Sequence, residues 1–145
     1  MCRWLVMVSV LAFVLMATPA IAQEDAAWQH YFDATHQAFE QGNYWEAHRM
    51  FAATSDAARR SGQNLEFAQR LENLAGQYES AHRFKVAEAL YRHALKIYER
   101  CLDPQHSILA TSIQKYARVL RNLNRQEQAT RLEARARDMI CSHRS

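Results

Sequence analysis

Gly42-Asn43-Tyr44-Trp45-Glu46-Ala47, His82-Arg83-Phe84-Lys85-Val86-Ala87 and Asn124-Arg125-Gln126-Glu127-Gln128-Ala129 are one pattern written three times. Each hexad follows a helix-like segment, makes a turn and opens another helix. The units that contain them begin near Trp28, Ala68 and Ala110, so successive units are 40 and 42 residues apart. A fixed period of that length marks stacked supersecondary units, each too small to bury its own apolar face. The predicted fold is all-α: an α-α superhelix, or solenoid, of three helical hairpins, with repeats over about 28–67, 68–109 and 110–143.

Two helices that cross closely need small side chains where their backbones approach. Each unit supplies three: Thr35, Ala47 and Thr54, then Ala75, Ala87 and Ala94, then Ala117, Ala129 and Ala136. Beyond residue 22 the chain holds only Gly42, Gly62, Gly76 and Pro104 as helix breakers, beside abundant Ala, Leu, Arg, Glu and Gln. Helices are predicted at roughly 26–41, 44–61, 64–81, 84–102, 104–123 and 125–142. Gly62 is placed for a left-handed cap on the second, and Asp103-Pro104 for an N-cap and first-turn proline on the fifth. The fourth helix has an apolar band too wide for one contact face. The sixth has a single stripe, with Glu133 where Phe51 and Tyr91 stand in the earlier units, as expected of a terminal cap.

The middle unit carries a more specific likeness. Leu71-Glu72-Asn73-Leu74-Ala75, Gln77-Tyr78, Ala87-Glu88-Ala89-Leu90-Tyr91-Arg92-His93-Ala94-Leu95-Lys96-Ile97 and Leu102-Asp103-Pro104-Gln105-His106 resemble the long tetratricopeptide repeat of the kinesin light chain type. The third unit departs from that pattern at Lys115, where the family has Asn, and Ser107 follows His106 where the family has Pro. The resemblance implies a concave groove built from the first helix of each unit and a protein or peptide as its occupant. It places Phe32, His36 and Phe39, then Asn73 and Gly76, then Arg118 and Arg121 on that groove. Asn73 suits pairing with a ligand backbone, Gly76 a close approach, and the arginines a partner segment with some acidic character.

The chain opens with a single Arg3, an uncharged apolar run from Trp4 to Ala17, and Pro19-Ala20-Ile21-Ala22. A spanning helix needs roughly 20 apolar residues, so the shorter run reads as a secretory signal peptide, residues 1–22, cut after Ala22. An uncleaved anchor is the alternative. Export to a bacterial periplasm or beyond, with a domain over 23–145 and no membrane span after cleavage, is the expectation. Cys101 and Cys141 then form an even pair in an oxidising compartment, a candidate disulfide, or else two semi-buried helical thiols.

The formal charge is +3, too small to imply a nucleic-acid partner. Its distribution is polar. From Glu24 to Glu99 there are 8 basic and 11 acidic residues, and from Arg100 onward 9 and 4. No Gly-rich phosphate loop, His-Glu-x-x-His or Cys-x-x-Cys is present. His30 and His36 are six apart, about 120° from one another around a helix, which is not metal-ligand spacing. The expectation is therefore no catalytic residue, no metal and no cofactor. Trp28, Tyr31, Phe32 and Phe39 either fill the first hairpin or present a contact surface, and Arg118, Arg121 and Arg125 form either a solvated row or an anion-binding one. Two functions follow: a scaffold or adaptor that holds a partner segment, or a structural subunit of a cell-envelope assembly that self-associates into a homo-oligomer.

Overall fold

A computed structural model describes residues 19–142. The expected leader lies outside the described residues as far as position 18, and so do residues 143–145. Among the described residues six α-helices follow one another in antiparallel pairs: α1 (Pro19–Glu40), α2 (Tyr44–Arg60), α3 (Asn64–Ser80), α4 (Phe84–Cys101), α5 (Ser107–Asn122) and α6 (Gln126–Ser142). They fall into two compact units, with the boundary between Gln63 and Asn64. Among the described residues no helix is long and apolar enough to cross a membrane.

The three hexads open with the same turn. Gly42, His82 and Asn124 have φ of +73°, +57° and +59°, and the next residue donates its N–H back across the helix end. Those bonds are Asn43 to Ala38 at 2.9 Å, Arg83 to Tyr78 at 2.8 Å and Arg125 to Leu120 at 2.9 Å. This is the left-handed helix terminus that glycine favours and that Asn and His tolerate. Gly62, at φ +74°, ends α2 in the same way, with Gln63 donating to Ala58 at 2.9 Å.

Two boundaries differ from expectation. Helix α1 is described from Pro19, ahead of the expected start near residue 26, so the expected cleavage point after Ala22 lies within the described helix. Helix α5 begins at Ser107 rather than Pro104. Asp103 accepts from the Gln105 N–H at 2.9 Å and its carbonyl accepts from the His106 N–H at 2.9 Å, which closes a turn. His106 Nδ1 then takes the Ile108 N–H at 3.2 Å as the actual N-cap.

In the first unit α1 packs against α2. Trp28 is fully buried, donates its indole N–H to Gln63 Oε1 and meets Phe32 edge-on at 6.5 Å. All nine predicted small positions are buried to 3% exposure or less. The two threonines among them spend their hydroxyls on the preceding turn, Thr35 on Tyr31 O at 2.7 Å and Thr54 on Met50 O at 2.8 Å, so neither is left unpaired.

In the second unit α4 packs on both α3 and α5, which is why its buried face includes Val86, Leu90, Tyr91, Leu95, Ile97 and Tyr98. Helix α6 buries one stripe, Ala129, Ala136 and Met139, while Ile140 remains exposed. Glu133 replaces the aromatic of the earlier units and pairs with Arg121 at 2.7 Å. The considered disulfide is not formed. Cys101 and Cys141 are free and exposed, whereas a bridge between neighbouring helices requires both thiols to face the interface.

Candidate functional site

Helices α3 and α5 border a furrow whose floor is α4. Its first part is a cavity of about 260 Å³ between Gln69, Glu72 and Asn73 of α3 and Ile108, Thr111 and Lys115 of α5, over Tyr98. A second part, about 600 Å³, runs on between Gly76 and Glu79 on one side and Arg118 and Asn122 on the other, over Tyr91. Glu72, Asn73 and Lys115 border both, so the two parts adjoin where Lys115 reaches across to Glu72. The repeat creates it: residues three and four apart on α3 share a face, and the same face recurs on α5 one repeat later.

The furrow carries its own counter-charges. Glu79 Oε1 accepts from Arg118 Nε at 2.6 Å and Oε2 from Arg118 Nη2 at 2.9 Å, the planar fork geometry that makes arginine–carboxylate pairs strong. Tyr91 adds its hydroxyl to Glu79 Oε2 at 3.3 Å. Arg118 holds the Glu79 carboxyl below its usual pKa, and burial together with that carboxylate pushes the Tyr91 phenol up to about 12. Glu72 is bonded by Lys115 Nζ and by the Tyr98 hydroxyl, and burial first, then Glu72, raises the Tyr98 phenol as well. The carboxylates are deep and the cations lie at the rim. Side-chain exposure is 10% for Glu72 and 12% for Glu79, against 40% for Lys115 and 61% for Arg118.

Of the residues expected on the groove, Asn73, Gly76 and Arg118 meet in this furrow. Asn73 is exposed, and among the described residues no hydrogen bond engages its amide. A Cβ on Gly76 would come no nearer than 3.7 Å to the Tyr91 hydroxyl, so the bare backbone there is not demanded by α4. Arg121 is turned to its own hairpin partner. It gives Nε and Nη2 to Glu133, each at 2.7 Å, and Nη1 to Gln126 at 2.8 Å. Phe32 and Phe39 are corrected to core residues: at 9% and 6% exposure they fill the first hairpin and offer no contact surface. His36, in the same unit, is half-exposed and lies 3.7 Å from Glu40. The arginine row is neither a bare solvated face nor an open anion site, for Arg118, Arg121 and Arg125 each hold a carboxylate of this chain.

Sequence reasoning missed the roles of Lys115, Tyr91 and Tyr98. The charge polarity held the signal. Four pairs, Glu72–Lys115, Glu79–Arg118, Glu88–Arg125 and Glu99–Arg135, join acids of the second hairpin to bases of the third across 43, 39, 37 and 36 residues, close to one repeat. Among the described residues no group of three or more His, Cys, Asp or Glu is gathered to hold a metal ion.

No curated protein matches the chain in sequence. By structure it is similar to the N-terminal domain of stress-induced protein-1 (STI-1) from C. elegans, with a TM-score of 0.51 at 15% identity, over 84% of this chain and 88% of that one. At that identity the likeness speaks for the fold alone. The model of the tetratricopeptide repeat family matches residues 66–142, more than half of the chain and the whole of the furrow. The chain belongs to the tetratricopeptide repeat family.

Proposed function

We propose that this protein is an exported, non-catalytic adaptor that holds a segment of a partner protein along the α3–α5 furrow. The observation that carries the reading is the furrow itself, with Asn73 unengaged on its wall and Gly76 half-exposed beside it. A side-chain amide presents both donor and acceptor, the complement of a peptide group in an extended chain. A glycine lets that chain come within backbone distance. Membership of a family whose repeats serve as protein-binding modules supports it, and the kinesin light chain likeness of residues 68–110 extends it to a long-repeat architecture with an elongated second helix. Export through a cleaved leader rests on Arg3, the apolar run that follows and Ala20-Ile21-Ala22.

Affinity capture from the envelope fraction of the source cell tests the reading, with Asn73→Ala beside the parent protein. Loss of the captured partner, with helicity retained, supports it. Equal capture by the variant points away from the furrow. Intact mass of the captured bait tests the export arm: a bait beginning at Gln23 supports cleavage, and one retaining Met1 through Ala22 refutes it.

A further inference from the structure

We infer that the furrow selects a basic segment, and that Lys115 and Arg118 are internal stand-ins for the partner's cationic side chains. The inference rests on the furrow being the docking surface.

The two halves of each ion pair differ in how freely they can leave. Glu72 and Glu79 are fixed: each is nearly buried on α3, and each is held from below by a tyrosine of α4. Arg118 and Lys115 are the outer halves, on long side chains already substantially exposed. An incoming Lys or Arg that takes a carboxylate leaves it still paired, and the displaced rim cation moves into water, where it is readily solvated. An incoming Asp or Glu that draws Arg118 or Lys115 away leaves the carboxylate beneath with only its tyrosine partner and sets a second negative charge near it, which is the costly outcome. Exchange therefore favours a cation in the furrow and disfavours an anion, even though the furrow pairs are neutral as they stand.

The spacing narrows the occupant further. Glu72 and Glu79 are seven residues apart on one helix, a rise of roughly 10 Å at about 1.5 Å per residue. A polyproline II segment advances about 3.1 Å per residue with three residues per turn, so basic side chains three positions apart project from one face at roughly 9 Å. A Lys-x-x-Lys or Arg-x-x-Arg segment in extended conformation matches both carboxylates.

The test is a calorimetric titration of the full mature chain with three blocked peptides that differ only at two positions: Ser-Lys-Pro-Pro-Lys-Ser, its Gln-x-x-Gln form and its Glu-x-x-Glu form. The Lys peptide is expected to bind tightest. Glu79→Gln should remove most of its advantage over the Gln form. Arg118→Gln should strengthen Lys-peptide binding several-fold by removing the internal competitor, and circular dichroism checks that both variants keep the parent helicity. Tightest binding by the Gln or Glu form, or weaker Lys-peptide binding in Arg118→Gln, overturns the inference while leaving the furrow as a docking surface. No binding by any of the three, with partner capture still dependent on Asn73, also overturns it. If capture too is indifferent to Asn73, the docking surface itself fails.

Discussion

Arg118 on α5 grips Glu79 on α3 through two parallel hydrogen bonds of 2.6 and 2.9 Å, tying adjacent repeats together across 39 residues of chain. With Arg118 61% exposed, solvent screening limits what the pair is worth. A double-mutant cycle with Glu79→Gln and Arg118→Gln, read by urea unfolding, should give a coupling of about 1 kcal/mol or less.

Acid should weaken this contact in a defined direction. Arg118 first, against the opposing effect of burial, holds Glu79 below the usual glutamate pKa, and Arg121 does the same for Glu133. A carboxyl depressed in the folded state contributes stability above its unfolded pKa, and the contribution is lost as pH falls through the folded value. Unfolding free energy should therefore drop as pH falls below roughly 4.3, the ordinary glutamate value. Arg118→Gln should make that drop shallower, as read by denaturant titrations at successive pH values.

At the alkaline end the sign reverses. Burial, and then Glu79, raise Tyr91 to about 12 from an ordinary value of 10.0. A phenol whose pKa is raised on folding contributes stability that is complete below its unfolded value and is lost as pH climbs through the folded one. Stability should fall between pH 10 and about 12. Ultraviolet titration should show late-ionising tyrosine absorbance, reduced in Tyr91→Phe.

Gly76 sits inside α3 with room for a methyl group. Gly76→Ala should raise thermal stability by about 0.4–1 kcal/mol through helix propensity and a less flexible unfolded chain. It should also weaken partner capture, because the added Cβ stands where a ligand backbone would pass. A more stable variant with unchanged capture would remove Gly76 from the contact surface.

Ala94 is fully buried where α4 crosses its partner. Ala94→Leu should cost about 1–3 kcal/mol by overpacking, whereas Lys96→Leu, on an exposed position of the same helix, should change stability by less than about 0.5 kcal/mol. Thermal melts of the two variants compare them directly.

The fold was legible because backbone approach leaves a mark that composition cannot hide: Ala75, Ala87 and Ala94 recur one repeat later as Ala117, Ala129 and Ala136, and all are fully buried. The turns were legible as well, since Gly42, His82 and Asn124 align in sequence and share a left-handed φ. The start of α5 was misplaced because Asp103 has two local uses for its oxygens, a turn and a cap, and the turn prevails. The site was only half legible. A helical face tells which residues can reach the furrow, but not whether a cation there is free, and Arg118 and Arg121 are both taken by carboxylates from other helices. Aromatic residues were ambiguous for a different reason: Phe32 and Phe39 suit a core as well as a contact surface, and only packing distinguishes the two.

Site-specific photocrosslinking shows whether a partner segment lies between α3 and α5. A photoreactive residue placed at Asn73 or at Thr111, both exposed on the furrow walls, should join the protein to its partner, while the same residue at Lys96, exposed on α4 outside the furrow, should not. Crosslinks that form from Lys96 and are missing from both Asn73 and Thr111 would put the partner on a surface other than the furrow.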